Sequence, residues 1–472
     1  MSRVWVYQTP HMSFPYSSDT IAAIATAPGE GAIAIVRVSG PETYALADLL
    51  FRVSPPLPSS RVAGTFAHGS VVHPSTGEVL DEAICLFFRT PHSYTGEDSI
   101  EIQCHGGSQV ARRILHALIS AGARQAEPGE FTKRAFLNDK LNLTQAEAVL
   151  DLIHARSERA ARLATAQLED ALGLRVRTLY DTLLSTSADL EAMLDFPDDE
   201  LPQSVPTELI QRLSTLATQI NALLDTWKEG RVLREGARMV IAGAPNVGKS
   251  TLLNRLAGRD RAIVSPLPGT TRDTIEETVT LRGYSMQVID TAGLRKAPCE
   301  IEQEGIRRTY HALSQADLCL SLVDSSRPIT DDEVQFISAQ NPNNTLLILN
   351  KSDLGTHLSV KDFPGFTCLS YSLQNAPSVD PIVDHILSLL LQNPSESDHG
   401  LWAISERHHS SLSIALEEIM LSISCLQSGK EQDFLPAATH ARIALEHVGN
   451  ILGRNCSDEI INSIFSRFCV GK

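Results

Sequence analysis

The sequence predicts a multidomain protein: an N-terminal α+β domain, then an all-α helical domain with an α/β domain inserted into it. Four observations predict this. The chain has 472 residues, and at about 100 to 200 residues per domain that length implies two to four domains. Short apolar runs alternate with Gly, Pro and Ser turns up to about Pro128. From Thr144 to Asp195, Pro206 to Glu229 and Leu401 to Gly449, Ala, Leu, Glu and Arg instead recur at helical spacing. Between the second and third helical blocks, apolar strands alternate with helices in the manner of βαβ units.

Residues 1–18 hold aromatics and prolines but no basic region followed by a long apolar block, so they read as an N-terminal extension and not as a secretory signal. Residues 19–138 form the α+β domain, with strands expected at Ala32–Val38, Ala83–Phe88 and Ser99–Gln103 and helices at Tyr44–Leu49 and Val110–Ile119. The helical domain takes 139–235 and resumes at 394–472. The α/β domain spans 236–393, bordered by Arg234-Glu-Gly236 and the polar run Asn393 to Asp398.

Composition excludes several classes. Apolar residues make up 43% and charged residues 20%, and no apolar run approaches the roughly 18 residues of a membrane span; a soluble, cytoplasmic protein without membrane contact is expected. Eight cysteines lack any close CxxC pair, which argues against a zinc ribbon or redox dithiol and for reduced thiols. The net charge of −16 opposes generic nucleic-acid binding. Two basic clusters, Arg112-Arg113 with Lys133, Arg134 and Lys140, and Arg156, Arg159 and Arg162, read as solvated helix faces. His408-His409 reads as part of a helix face, not as a metal pair.

The chemistry concentrates between Gly243 and Asp353. Met239–Ala242 is a buried-strand signal, and the loop that follows, with Asn246, Val247, Gly248, Lys249 and Ser250, leads into a helix opened by Thr251. This GxxxxGK[ST] loop needs glycine so that backbone N–H groups can turn toward phosphates; Lys249 reaches the β and γ phosphates and Ser250 holds Mg²⁺. Pro268-Gly269-Thr270-Thr271-Arg-Asp273 suits a mobile switch loop, with the Thr271 hydroxyl as a second Mg²⁺ ligand. Met286–Ile289 is a strand ending in Asp290-Thr291-Ala292-Gly293, where Asp290 can meet Mg²⁺ through water and Gly293 lets the backbone approach the γ phosphate. Thr345–Leu349 leads to Asn350-Lys351-Ser-Asp353. The Asp353 carboxylate accepts hydrogen bonds from guanine N1 and the 2-amino group, a pairing adenine cannot make. The α/β domain is therefore expected to be a Ras-like P-loop GTPase domain.

The base-capping fifth motif should follow the next strand, and its nearest spelling is Ser370-Tyr371-Ser372, with tyrosine where a small residue is usual. Leu294 stands where Ras-type GTPases place a water-orienting glutamine. Asn246, whose amide oxygen can ligate a monovalent cation, and an acid within Glu300–Glu304 are the candidates to help. By spacing alone, Asn246 reads as a loop hydrogen-bonding residue and the acids as an exposed helix turn.

The flanking motifs narrow the comparison. Asp19-Thr-Ile21, Arg37-Val-Ser-Gly40, Tyr94-Thr-Gly-Glu-Asp98, His105-Gly-Gly107, Pro128-Gly-Glu-Phe131, Arg134 to Leu141, Gln145-Ala-Glu147, Phe196-Pro197 and the terminal Phe468-Cys-Val-Gly-Lys472 resemble the MnmE (TrmE) family of tRNA-modification GTPases. The resemblance runs from about Asp19 to the last residue. It implies a GTP hydrolase that works with an FAD-containing MnmG/GidA-like partner, FAD being bound by the partner only, in a heterotetrameric complex. Together they would add a carboxymethylaminomethyl-type group at C5 of the wobble uridine, position 34, of certain tRNAs, with tRNA contacted mainly through the partner. It implies a homodimer made by an N-terminal domain that binds a tetrahydrofolate one-carbon donor, of 5-formyl or 5,10-methylene type, at Arg37, Glu101, Lys140 and Lys472. It assigns K⁺ to Asn246, Ser265, Leu267 and Thr270, in a loop that also holds Pro266, and gives Glu302 the role of orienting the attacking water with Lys249, Thr271 and Gly293 around the phosphate. Cys469 in the terminal motif is a candidate functional cysteine. Two other classes remain open at this level: a ribosome-assembly or signalling GTPase acting as a binding switch, and a folate-dependent aminomethyltransferase with an inserted switch domain. No GXXG loop in a basic helix pair supports the former.

Overall fold

The computed structural model describes residues 19–195, 204–258, 276–290, 313–355, 357–391, 402–428, 430–454 and 457–472. They form two compact units, one of residues 19–146 with 457–472 and one of residues 147–454.

The first unit is built on a seven-stranded sheet of β1 (Ile21–Ile24), β2 (Ile33–Ser39), β3 (Phe51–Arg52), β4 (Thr65–Val72), β5 (Val79–Phe88), β6 (Ser99–His105) and β7 (Arg124–Gln125). Their order is β3-β4-β5-β6-β2-β1-β7, antiparallel except for β1 with β7. Side chains alternate across a strand, so Val36 and Val38, Ile100 and Ile102, and Cys85 and Phe87 face one way into a core closed by α1 (Thr43–Leu50) and α2 (Ser108–Ser120). The same alternation turns Arg37 and Glu101, which are paired in register between β2 and β6, to the opposite face. Strand β4 escapes sequence reading because its apolar alternation is weak: Phe66 and His68 are exposed and Gly69-Ser70 interrupts it.

The last residues of the expected 394–472 part group with the first unit. Helix α14 (Asp458–Phe465), numbered in chain order with the helices given below, packs on α3 (Glu130–Leu137) of the first unit. The Phe465 ring meets those of Phe136 and Phe468, and Val470 forms a β-bridge with Pro128. Gly471 allows the closest approach: its φ is +97°, and a Cβ there would lie 2.3 Å from the Ile24 carbonyl oxygen. Arg134 also departs from expectation. It is no solvated face residue but is 2% exposed, paired with Asp19, Glu97 and Glu130; an arginine can be buried when carboxylates satisfy its donors.

In the second unit, the apolar run expected as one helical block after Thr144 breaks into α4 (Leu143–His154), α5 (Glu158–Leu168) and α6 (Ala171–Asp195). Ser157 caps α5 by accepting the Ala160 N–H, and Asp170, at φ 68°, turns the chain before α6. Helices α7 (Ser204–Leu224) and α8 (Trp227–Glu235) follow. Then come β8 (Ala237–Gly243), α9 (Lys249–Ala257), β9 (Glu276–Leu281), β10 (Tyr284–Asp290), β11 (Leu318–Asp324), α10 (Asp331–Ser338), β12 (Thr345–Asn350), β13 (Thr367–Ser370) and α11 (Asp380–Leu391), with α12 (Glu406–Gln427) and α13 (Phe434–Leu452) after them. Side chains of α6, α7, α12 and α13 share one core through residues such as Leu183, Leu213, Ile419 and Ala441.

The intervening segment forms a six-stranded sheet in the order β13-β12-β11-β8-β10-β9, parallel except for the β9–β10 hairpin. Helices α5 and α8 join this sheet's core through Leu163, Val232 and Leu233. Arg159 is thereby engaged and not simply solvated: its guanidinium lies 4.8 Å from the Tyr284 ring centroid, and Tyr284 donates to Glu229 at 2.6 Å. His408 is buried against Glu147 at 2.8 Å, and the His409 ring packs at a tilt against Trp227. Among the described residues no group of His, Cys, Asp and Glu is arranged to hold a metal, and no helix is long and apolar enough to cross a membrane.

Two outcomes follow from this packing. Gly471→Ala should destabilise the first unit by about 1–3 kcal/mol, read as a lower urea midpoint and faster carboxypeptidase trimming. Burial, reinforced by Glu147 and Glu235 and opposed by Arg234, pushes the Asp151 carboxyl up to about 6. A raised folded-state value means the native protein holds the proton more tightly, so this contribution is full at acid pH and is lost as pH rises from the ordinary carboxylate range through 6. Asp151→Asn should therefore gain roughly 1–3 kcal/mol over wild type at pH 7.5 and little at pH 4, measured by urea unfolding at both.

Candidate functional site

In the second unit the loops that carry chemistry all leave the carboxyl ends of parallel strands, where open α/β sheets bind ligands. Strand β8 runs into the loop before α9, and Gly243, Asn246 and Gly248 in that loop take positive φ values of 138°, 62° and 107°. Such a bend turns successive N–H groups toward one side and makes an anion cradle at a helix N-terminus. Lys249, 8% exposed, donates to the carbonyls of Gly243 (2.9 Å) and Ala244 (2.8 Å), which lays its ammonium along the cradle. Val247 is buried beneath the loop, while Ser250 and Thr251 present exposed side chains on the first turn of α9 and Asn246 is exposed at the loop's tip.

Asn350, at the end of β12, joins three loops. Its amide nitrogen donates to the Val247 carbonyl at 2.7 Å and its amide oxygen accepts the Leu373 N–H at 2.9 Å. Gly248 has no Cβ because one there would lie 2.5 Å from that amide nitrogen. Lys351, in the left-handed region at φ 63°, pairs with Asp324 at 2.6 Å. Burial opposes ionisation of Asp324, but the hydrogen bonds from Lys351 and Ser326 outweigh it and hold the carboxyl below its ordinary range. Asp353 is exposed at the rim.

After β13 the chain departs from the Ser370-Tyr371-Ser372 reading in detail. Tyr371 packs against the sheet's core, and its hydroxyl donates to the Ser378 carbonyl. Ser372 stays within the loop, accepting the N–H groups of Asn375 and Ala376. The contact with Asp353 comes three residues later, from the Asn375 amide at 3.1 Å. Arg255 of α9 then grips the loop, donating to the carbonyls of Leu373 (2.6 Å) and Ala376 (2.5 Å). Sequence reading missed Asn375, Arg255 and Asp324. Only Asp324 had a signal, as the polar end of an apolar strand in register with Asn350.

Asp290 closes β10. Ser265, Pro266, Leu267, Pro268, Gly269, Thr270 and Thr271, together with Thr291, Ala292, Gly293, Leu294 and Glu302, lie outside the described residues, as do Phe196 and Pro197.

The first unit gathers the second set. Arg37 pairs with Glu101 at 2.8 Å on the open sheet face, and its guanidinium lies 5.4 Å from the Tyr94 ring centroid and 5.5 Å from that of Phe131. The Gly471 carbonyl accepts from Arg37 at 3.5 Å, and the Phe131 N–H donates to the Lys472 carbonyl at 3.2 Å. Lys140 packs beside Gly96 and donates to the Pro91 carbonyl at 3.0 Å, which ties it to the loop carrying Tyr94. Cys469 is exposed, its carbonyl accepting the Gly129 N–H. A carboxylate beside a cation stacked between aromatic rings can recognise a flat heterocycle that has adjacent N–H donors and carries anionic groups.

Comparison with known proteins adds an independent line. Residues 143–469 match the family model described as the MnmE helical domain, and residues 20–140 match that described as the GTP-binding protein TrmE N-terminus. The chain is 41% identical over 459 residues to a tRNA modification GTPase MnmE of Syntrophus aciditrophicus (strain SB), covering 96% of this chain and 99% of the relative. Proteins of the same description from Natranaerobius thermophilus (38% over 465 residues; 97% and 100%) and Akkermansia muciniphila (42% over 454 residues; 96% and 99%) are equally full-length matches.

Asn350→Ala should strip the buried partners from Val247 and Leu373 at once. Each unsatisfied group costs about 1–3 kcal/mol, so a fluorescent GDP analogue should bind roughly 10- to 100-fold more weakly, as measured by equilibrium titration.

Proposed function

The chain belongs to the MnmE family of tRNA modification GTPases, and from that premise we propose that hydrolysis in its inserted α/β domain gates a one-carbon transfer to tRNA supported by the first unit. The observation that carries the reading is the Asn350 bridge, which ties the loop before α9 to the loop after β13. The cradle's N–H groups and Lys249 bind the β and γ phosphates, and Asp353 selects guanine. Ser250 and Thr271 would hold Mg²⁺, which supplies charge neutralisation at the phosphates. Asn246 with Ser265, Leu267 and Thr270 would hold K⁺, which supplies positive charge where other GTPases use an arginine; an exposed amide at a left-handed position of the loop fits such a ligand. With Leu294 unable to orient water, that role falls to Glu302.

In the first unit, Glu101 would accept from the donor edge of a tetrahydrofolate pterin while Arg37, Lys140 and Lys472 meet its carboxylates. The bound folate supplies the one-carbon unit. With an FAD-containing MnmG/GidA-like partner, the homodimer would install the carboxymethylaminomethyl-type group at C5 of the wobble uridine. The close grouping of Arg37, Glu101, Tyr94 and the terminal Gly471 supports a ligand site there.

GTP hydrolysis should run at least tenfold faster in K⁺ than in Na⁺ at equal ionic strength, and Asn246→Ala should abolish the difference; equal rates in the two salts would refute the cation assignment. In a purified complex with the flavoprotein partner, Lys140→Ala should lose folate binding and uridine modification while hydrolysing GTP, and Asp353→Ala should keep folate binding while losing GTP selectivity. Uridine modification that persists in both variants would refute the coupling.

A further inference from the structure

We propose that Arg255 and Asn375 are positioning residues that set guanine specificity, holding the Asp353 carboxylate in the plane the base requires. The proposal rests on the reading of Asp353 as the base-selecting group and adds how this chain aims it without a small-residue fifth motif.

A carboxylate discriminates guanine only if its two oxygens face N1–H and the 2-amino group together; rotated out of plane, it offers one acceptor, which inosine satisfies as well. Asp353 is exposed and stands in a short 3₁₀ turn, Ser352–Leu354, so local structure alone leaves its side chain free to rotate. One constraint on it comes from Asn375, whose Nδ2 donates to Oδ2 at 3.1 Å. A carboxylate oxygen has two lone pairs, so that contact leaves one on Oδ2 and both on Oδ1 for the base. The amide orientation is chemically determined, because an ionised Asp353 only accepts.

Asn375 is itself exposed, and an exposed pair constrains little unless the backbone beneath it is rigid. Arg255 supplies that rigidity. Its two terminal nitrogens reach carbonyls three residues apart, those of Leu373 and Ala376, on either side of Asn375, a planar fork that a lysine cannot reproduce. From inside the loop the Ser372 hydroxyl accepts the Asn375 N–H, and Asn350 accepts that of Leu373. Arg255 projects from the helix whose first turn forms the phosphate cradle, so one helix sets both ends of the nucleotide.

The test compares equilibrium binding of GDP and inosine diphosphate, which lacks only the 2-amino group, to the full-length chain. The variants are Arg255→Lys, Arg255→Ala, Asn375→Ala, Asn375→Asp and Asp353→Asn. The GDP-to-IDP affinity ratio should fall about five- to tenfold in Asn375→Ala and in both Arg255 variants, with IDP affinity changed less than about threefold. Asn375→Asp, which sets a second carboxylate against Asp353, should lower the ratio further. Equal weakening of GDP and IDP would mean Arg255 and Asn375 merely hold the loop folded and would overturn the proposal, as would an unchanged ratio. If Asp353→Asn loses GDP preference while the Arg255 and Asn375 variants retain it, the guanine-site reading stands and only this proposal falls; if Asp353→Asn leaves the preference intact, the reading beneath it has failed. Asn375→Ala alters a surface side chain, so the ratio can be read even if an Arg255 variant does not fold.

Discussion

A single buried amide, that of Asn350, is the contact on which the nucleotide site depends. Its two hydrogen bonds satisfy a carbonyl of the phosphate loop and an N–H of the loop after β13, two groups that tight packing would otherwise leave unpaired and costly. Gly248 carries no side chain because this amide occupies the space. The loop before α9 and the loop after β13 are thus joined in one frame, which lies over the carboxyl ends of β8, β12 and β13. A ligand meeting such preorganised groups need not spend binding energy on ordering them.

The first unit solves a different problem, that of bringing residues 457–472 together with residues 19–146. Strand alternation alone turns Arg37 and Glu101 to one face, but the aromatic walls and the carbonyl of Gly471 come from distant segments. Small residues make this possible at Gly471, where backbone meets backbone. The buried Arg134 of the same unit draws carboxylates from three segments, Asp19, Glu97 and Glu130. Truncating Arg134 would take from these three carboxylates the cation they share.

Legibility followed locality. The phosphate loop could be read because strand, glycine-rich bend, lysine and helix are contiguous, and the same holds for β12 with Asn350 and Asp353. Strand β4 was not legible, since its pairing with β5 and not its own alternation makes it a strand. The breaks that divide α4, α5 and α6 turn on a serine cap and a left-handed aspartate, weak signals inside a strong helical pattern. After β13 the contact with Asp353 falls on Asn375 and not within Ser370-Tyr371-Ser372, and Tyr371 is drawn against the core by apolar burial. Arg255 looked like any polar residue of an amphipathic helix until the loop it grips was in place.

The sequence by itself determined the glycine-rich loop between a strand and a helix, the strand that ends in Asn350 and the family, because each rests on residues a few positions apart whose spacing already encodes their geometry. Only the tertiary structure decided that residues 457–472 pack with the N-terminal unit, that Arg37 lies against Glu101, Tyr94 and Phe131, that Arg134 is buried, and that Arg255 and Asn375 stand behind Asp353. Those contacts join segments separated by tens to hundreds of residues. Their partners are selected by which surfaces the packed cores bring within hydrogen-bond reach, a quantity that no local spacing carries.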